Sequence, residues 1–276
     1  MKSKLEKTIL YVILTALSLL FISPTLIVLI NSFKGKLYIS NEPFKLPNEQ
    51  TFAGITNFTS GIEKTGFLSA LKWSLFITIG ATIVIVFFTS MTAWYITRVK
   101  TRFTKLLYYL IVFSMVVPFQ MVMFTMTKVA NTLSLDNPVG LIILYLGFGA
   151  GLSTFMYVGF IKSVPLEIEE AAMIDGCSPV QTFFLIVMPM LKPITTTIAI
   201  LNVMWVWNDY LLPYLIVGTD YATIPIAVQY LRGGYGAIDI GAMMALLVIA
   251  IIPIVIFYAV CQKYIIEGIA AGAVKG

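Results

Sequence analysis

Apolar residues in this chain gather into six long runs separated by short polar segments, near positions 8–30, 71–96, 106–126, 139–161, 194–217 and 240–262. About 20 residues rising 1.5 Å each cover the roughly 30 Å of bilayer hydrocarbon. Inside lipid a segment must satisfy its own backbone groups, which selects helix. Each run is therefore predicted as a membrane-crossing helix. Pro118 and Pro253 fall inside the third and sixth runs and predict kinks. Gly147 and Gly151 have the spacing that permits close helix packing, although ordinary small-residue packing accounts for them equally well. The first run follows Lys2, Lys4 and Lys7 as a signal peptide would. It is longer than the apolar part of a signal peptide and has no A-x-A cleavage site, so it is read as a retained span.

Composition agrees with the pattern. Of 276 residues, 59% are hydrophobic and 11% charged, and mean hydropathy is +0.94; soluble domains carry about 25% charged residues. With the first terminus inside, the inner segments hold Lys2, Lys4, Lys7, Arg98, Lys100, Arg102, Lys105, Lys162, Lys192, Lys263 and Lys275. The outer ones hold Lys34, Lys36, Lys45, Lys64, Lys72, Lys128 and Arg232, so the balance is 11 against 7. Four inner cations crowd 98–105, and short loops weigh most in setting orientation. Both termini and the 163–192 loop are expected in the cytoplasm. The net charge of +5 is thus assigned to membrane orientation, with no nucleic acid as partner. The outer segment 31–70 is too short for a large independent domain. The whole chain is read as one all-α integral membrane domain, 1–276.

Several chemistries lack their residues. The chain contains no His, the commonest general base and transition-metal ligand. Cys177 and Cys261 match no metal or redox spacing. No G-x-x-x-x-G-K-[ST] stretch exists to cradle ATP phosphates. No cofactor, metal or catalytic residue is expected.

The loop at 163–192 is the polar exception. Pro165 suits a first helical turn, and Glu167, Glu169 and Glu170 place negative charge at the positive end of that helix. Ala171, Ala172, Met173 and Ile174 continue it, and Gly176 suits a left-handed stop. Ser178, Pro179, Val180 and Gln181 form a capping-box pattern that starts a second helix. Two short helices joined by a glycine elbow are predicted outside the membrane; by physical chemistry alone this is equally a well-capped loop.

The same residues resemble the EAA loop of ABC-importer permeases. Its pattern of E-A-A, three residues, G, nine residues, I, one residue and L-P is matched by Glu170, Ala171, Ala172, Gly176, Ile186 and Pro189, with Met188 where Leu is usual. Trp207-Asn208-Asp209-Tyr210, Pro118-Phe119-Gln120, Asn131-Thr132, Gly140-Leu141 and the Gln262–Gly276 tail are similar to the MalG-like branch of carbohydrate permeases. The resemblance implies the type I importer permease fold, with six transmembrane helices. It also implies that the first short helix is a coupling helix seated on an ATPase, with Glu170, Ala171, Ala172, Asp175 and Gly176 at that contact. It implies as partners a second, MalF-like permease, two ATPase subunits holding ATP and Mg, and an extracytoplasmic sugar-binding protein. The tail, 263–276, would reach toward the ATPases.

For the transport path, Asn202, Trp205 and Asp209 are spaced by three and four and share one helix face. Asp209 lies about 24 Å along the axis beyond Pro193, toward the outer leaflet. A carboxylate there must face protein or water. Trp205 suits stacking on a sugar ring, and Asn208, Asp209 and Gln120 suit hydroxyl groups. The competing assignment has Asn208 and Asp209 bonding neighbouring helices and the tryptophans anchoring the interface. Three alternative functions remain: an ABC permease for another solute, a secondary transporter, for which Asp209 is nearly the sole intramembrane ionisable group, and an intramembrane enzyme, which lacks an acid–base pair.

Overall fold

A computed structural model describes residues 4–231 and 239–273. Its helices run in the order α1 (Lys4–Ser32), α2 (Lys36–Asn41), α3 (Thr56–Thr65), α4 (Phe67–Arg98), α5 (Arg102–Phe113), α6 (Phe119–Thr132) and α7 (Pro138–Ile161). They continue as α8 (Leu166–Ile174), α9 (Pro179–Gln181), a wider π-helical turn at Thr182–Val187, α10 (Met188–Met190), α11 (Lys192–Asn208), α12 (Leu211–Val217), α13 (Ile224–Tyr230) and α14 (Ile240–Ala273). Among the described residues the sole extended pairing is an isolated antiparallel bridge between Lys34 and Phe52.

Four of these helices are long and apolar enough to cross a membrane, at Glu6–Ser32, Phe67–Arg98, Pro138–Ile161 and Ile240–Tyr264. The pair Pro179–Met190 and Lys192–Asn208, bent by 77°, is long and apolar enough only when its two halves are taken together. Two expected runs are interrupted. The third divides into α5 and α6 because Pro118 takes an extended conformation (ψ 135°) in front of α6, and the residue before a proline is itself driven from helix. In the fifth run, Pro213 lacks an N–H and its ring would strike the carbonyl four residues back, at Asp209. Asp209 accordingly turns extended (φ −74°, ψ 127°), separating α11 from α12. By contrast α14 continues through Pro253 as helix.

The chain divides into two compact units, residues 1–68 with 227–255 and residues 69–226 with 256–276. In the first, buried polar groups order the segment after α1. Asn57 Nδ2 donates to Ser32 O and Lys34 O at 2.8 Å each, and Asn31 Nδ2 to Pro43 O at 2.8 Å. Lys34 is 1% exposed and spends its ammonium on Glu42 O at 2.8 Å. Burial pushes this ammonium below its ordinary pKa, with Glu42 opposing. Asp239 precedes α14 and bonds Lys64 and the Ala242 N–H. Its burial favours the protonated form, but those donors prevail and hold the carboxyl below its usual range.

The second unit has two apolar cores. One joins Ile77, Ala81 and Ile85 of α4, Leu141 and Tyr145 of α7, Val206 of α11 and Leu212 and Ile216 of α12. The other joins Ala93 of α4, Tyr157, Val158 and Ile161 of α7, Phe183 and Val187 of the π turn, and Ile198 of α11. α7 starts where Asn137 Oδ1 accepts from the Val139 and Gly140 N–H groups, with Pro138 at the first helical position. Of the expected pair, Gly151 is at a close approach and Gly147 is not, and Gly149 and Gly140 join it. A Cβ on Gly147 would meet nothing within 4 Å, whereas Gly149 lies against Ile85 and Gly151 against Met115 and Ile111 O. At Gly140 a Cβ would fall 2.1 Å from Leu135 O, a backbone atom that cannot swing aside. Gly140→Ala is expected to cost about 1–3 kcal/mol by overpacking, read as a lowered unfolding midpoint in detergent. Gly147→Ala should leave the midpoint unchanged; equal midpoints for the two variants would contradict this packing.

Candidate functional site

The elbow is organised by a carboxylate that sequence reading treated only as helix-end charge. Glu169, in the first turn of α8, is 1% exposed. Its Oε1 accepts from Arg98 Nε at 3.0 Å and Nη2 at 2.7 Å, and its Oε2 from Trp94 Nε1 at 2.9 Å. Arg98 Nη2 also donates to Val164 O at 3.0 Å. Trp94 and Arg98 stand four apart on α4, so one helix face presents both donors. The charge-assisted bonds are of the strong kind, and every oxygen of this buried carboxylate is engaged, the condition under which a buried ion pair is tolerated. The signal available in the sequence was Trp94-x3-Arg98 at the end of an apolar run, opposite the only acid-rich loop.

This clasp sets which way the remaining residues of α8 face. Glu170, Ala171, Asp175 and Gly176 are exposed, as are Ile168, Met173 and Ile174, the last at 85%. Ala172 is buried against its own chain, so the two alanines do not present one common surface: Ala171 faces outward and Ala172 inward. Gly176 stands at φ +95°, the left-handed stop that the sequence pattern requires. The capping box is present, with Ser178 Oγ accepting from Gln181 N at 3.3 Å and Gln181 Oε1 from Ser178 N at 2.8 Å.

The path candidates divide between two cavities in the same unit. One, of about 220 Å³, is lined by Gln120, Trp205 and Asp209 with Phe119 and Phe148. The other, of about 280 Å³, is lined by Asn202, Trp205 and Gly149, again with Phe148. Trp205 and Phe148 belong to both. Asn208 lines neither; its Nδ2 turns back to Met204 O at 2.7 Å because it lies one residue off the Trp205–Asp209 face. Asp209 Oδ2 accepts from the Tyr145 hydroxyl at 3.0 Å and Oδ1 from Leu211 N at 3.1 Å. It therefore bonds a neighbouring helix and lines a cavity at once. Tyr145 is fully buried and meets Trp205 edge-on, ring centres 5.3 Å apart; sequence reading missed it within an aliphatic and glycine-rich run. Asn202 Nδ2 bonds Ser153 Oγ at 3.2 Å and Ile198 O at 2.8 Å. Each cavity falls below the ~300 Å³ at which small-molecule sites begin, so this chain alone offers part of a wall rather than a closed pocket.

The tail residues Val274, Lys275 and Gly276 lie outside the described residues, as do Lys2 and Arg232 of the charge count. α14 extends to Ala273, past the tail's Gln262, Lys263, Tyr264 and Gly268.

Comparison with known proteins places this arrangement. Residues 85–270 match the binding-protein-dependent transport system inner membrane component family. A probable starch degradation products transport system permease, AmyC of Thermoanaerobacterium thermosulfurigenes, is 37% identical over 99% of both chains. The multiple sugar-binding transport system permease MsmG of Streptococcus mutans is 37% identical over 96% of both. The melibiose/raffinose/stachyose import permease MelC of Bacillus subtilis is 30% identical over 92% of this chain and 91% of its own. Among solved structures, a chain of a bacterial ABC transporter involved in importing the acidic polysaccharide alginate superposes with a TM-score of 0.82. It covers 96% of this chain and 99% of the other at 20% identity, a likeness of fold. With the exposed elbow, the apolar spans and these matches together, the chain belongs to the binding-protein-dependent transport system inner membrane component family.

Proposed function

We propose that this chain is one of two permease subunits of an ATP-driven importer for a sugar or oligosaccharide, and that α8 transmits the stroke of a partner ATPase. The observation that carries the reading is the clasp. It ties α8 to the end of α4 through a buried ion pair while leaving Glu170, Ala171, Ile174 and Gly176 uncovered on the far side. A helix that must pass on a push needs a rigid link to a span and a free face for the pusher. The elbow and both termini face the cytoplasm, in line with the 11-to-7 balance of Lys and Arg. ATP and Mg are held by two separate ATPase subunits, and a MalF-like permease completes the path. An extracytoplasmic binding protein delivers the solute from the outer side.

A sugar as cargo is supported by the names of the relatives, which concern starch degradation products, multiple sugars, and melibiose, raffinose and stachyose. It is also supported by the indole of Trp205, 39% exposed and shared by both cavities, beside the hydrogen-bonding groups of Gln120 and Asp209. A flat ring next to polar groups suits a pyranose, whose faces are apolar and whose edges carry hydroxyls. The alternative cargo, a non-sugar solute, predicts no preference among binding proteins for sugars.

In the reconstituted complex, ATPase activity should rise with a sugar-loaded binding protein. Glu169→Gln leaves the Arg98 charge buried without its partner, a change of the kind that costs about 3–5 kcal/mol. It should bring the stimulated rate down to the basal rate while basal ATPase persists. Arg98→Lys, which keeps the charge but loses the forked donor to Val164 O, should give intermediate stimulation. Undiminished stimulation in Glu169→Gln would remove the clasp from the mechanism. Trp205→Ala should raise the half-saturating sugar concentration for transport about tenfold, the loss of roughly one good aromatic contact; an unchanged value would take Trp205 out of the path.

A further inference from the structure

A second polar feature lies at the same end of the unit and has no part in the coupling surface. A cleft of about 630 Å³ opens between the end of α4, the start of α5 and the end of α7, larger than either path cavity. Lys100, Lys105 and Lys162 line it, together with Arg98. Arg98 is spent on Glu169 and Val164 O, but the side chains of the three lysines form no ion pair or hydrogen bond with any described residue. The threonine hydroxyls on the lining are likewise turned inward. Thr97 donates to Ala93 O, and Thr101 and Thr104 cap α5. The polarity left to the cleft is therefore cationic and uncompensated, against apolar walls from Ile96, Val158 and Tyr108.

The surroundings narrow what such a cleft would take. Along α5, Tyr109 and Phe113 are each more than half exposed, and they follow the cleft's Lys105 at successive spacings of four, on its side of the helix. Unpaired cations at one end of a span, with exposed apolar rings following Lys105 along α5, fit an amphiphile: an anionic group among the lysines and a hydrocarbon tail along α5. Basic pockets between transmembrane helices on the cytoplasmic side hold lipid head groups in this manner. We propose that this cleft binds the phosphate of an anionic phospholipid from the cytoplasmic leaflet, with Lys100, Lys105 and Lys162 as its ligands. Only the naming of the leaflet rests on the proposed orientation. The lysines, the cleft and the apolar rings stand without it.

The test uses the whole importer in nanodiscs of phosphatidylcholine doped with phosphatidylglycerol, with retained lipid counted by native mass spectrometry after mild delipidation. Retention of phosphatidylglycerol should weaken by about fivefold for each lysine removed, down to background in Lys100→Gln/Lys105→Gln/Lys162→Gln. The matched variant Lys4→Gln/Lys7→Gln/Lys192→Gln, which removes the same charge from other exposed sites, should retain it as the parent does. Equal retention in both triple variants, or equal loss in both, would overturn the site. Glycerol 3-phosphate added at millimolar concentration separates the two sources of phosphate. Failure to displace the lipid supports the phospholipid, and full displacement would reassign the cleft to a soluble phosphate ester. Binding-protein-stimulated ATPase measured on the same samples reports the proposed function separately, so loss of the lipid signal and loss of coupling are distinguishable.

Discussion

The contact on which the functional arrangement rests is the buried carboxylate of Glu169 between Arg98 and Trp94. A short helix of nine residues has little stability of its own, since isolated helices below about 12–15 residues are marginal in water. α8 borrows order from α4, a helix of 32 residues, through two charge-assisted bonds and an indole N–H that hold opposite oxygens of one carboxylate. Removing water from a charge pair is costly, and the cost is recovered only with good geometry and full satisfaction. The outcome is a single orientation for α8, and that orientation decides that Ala172 turns in while Glu170, Ala171 and Ile174 turn out.

A proline plays the corresponding part in the fifth apolar run. Pro213 forbids a continuous helix, so the backbone opens at Asp209 and its carboxylate is held by the Tyr145 hydroxyl and the Leu211 N–H. Trp205, one turn earlier, then lies between two cavities instead of against a closed helix wall. Broken helices inside membranes are tolerated where protein or a cavity re-satisfies the freed groups, and this break has both. The two cavities are too small to hold an oligosaccharide unaided, in keeping with a path whose other wall belongs to a second permease.

Local chemistry was legible in the sequence wherever it was short-range. The Ser178–Gln181 capping box, the left-handed Gly176 and the end of α8 follow from residues within a few positions of one another, and the structure contains each. Shared helix face joins Asn202, Trp205 and Asp209, and Gln120 is a separate candidate in the kinked third run. The structure sets Gln120, Trp205 and Asp209 on one cavity and Asn202 with Trp205 on the other, with Asn208 one residue too far around. What escaped was long-range pairing. Glu169 meets Arg98 across 71 positions, and Asp209 meets Tyr145 across 64. Nothing in one chain's periodicity tells a buried acid from its exposed neighbours Glu167 and Glu170. The division of the third run into α5 and α6 was half visible, because Pro118 announced a kink but not that the helix would stop.

The central claim is that the uncovered face of α8 is a docking surface for an ATPase subunit, and accessibility at its most exposed apolar residue, Ile174, tests it most directly. With Cys177 and Cys261 replaced by serine, a cysteine placed by Ile174→Cys can be labelled with a maleimide in inside-out membrane vesicles. The account predicts rapid labelling when the permeases are present without their ATPase, and strong protection once the ATPase subunits are bound. Labelling at the same rate in both preparations would contradict it.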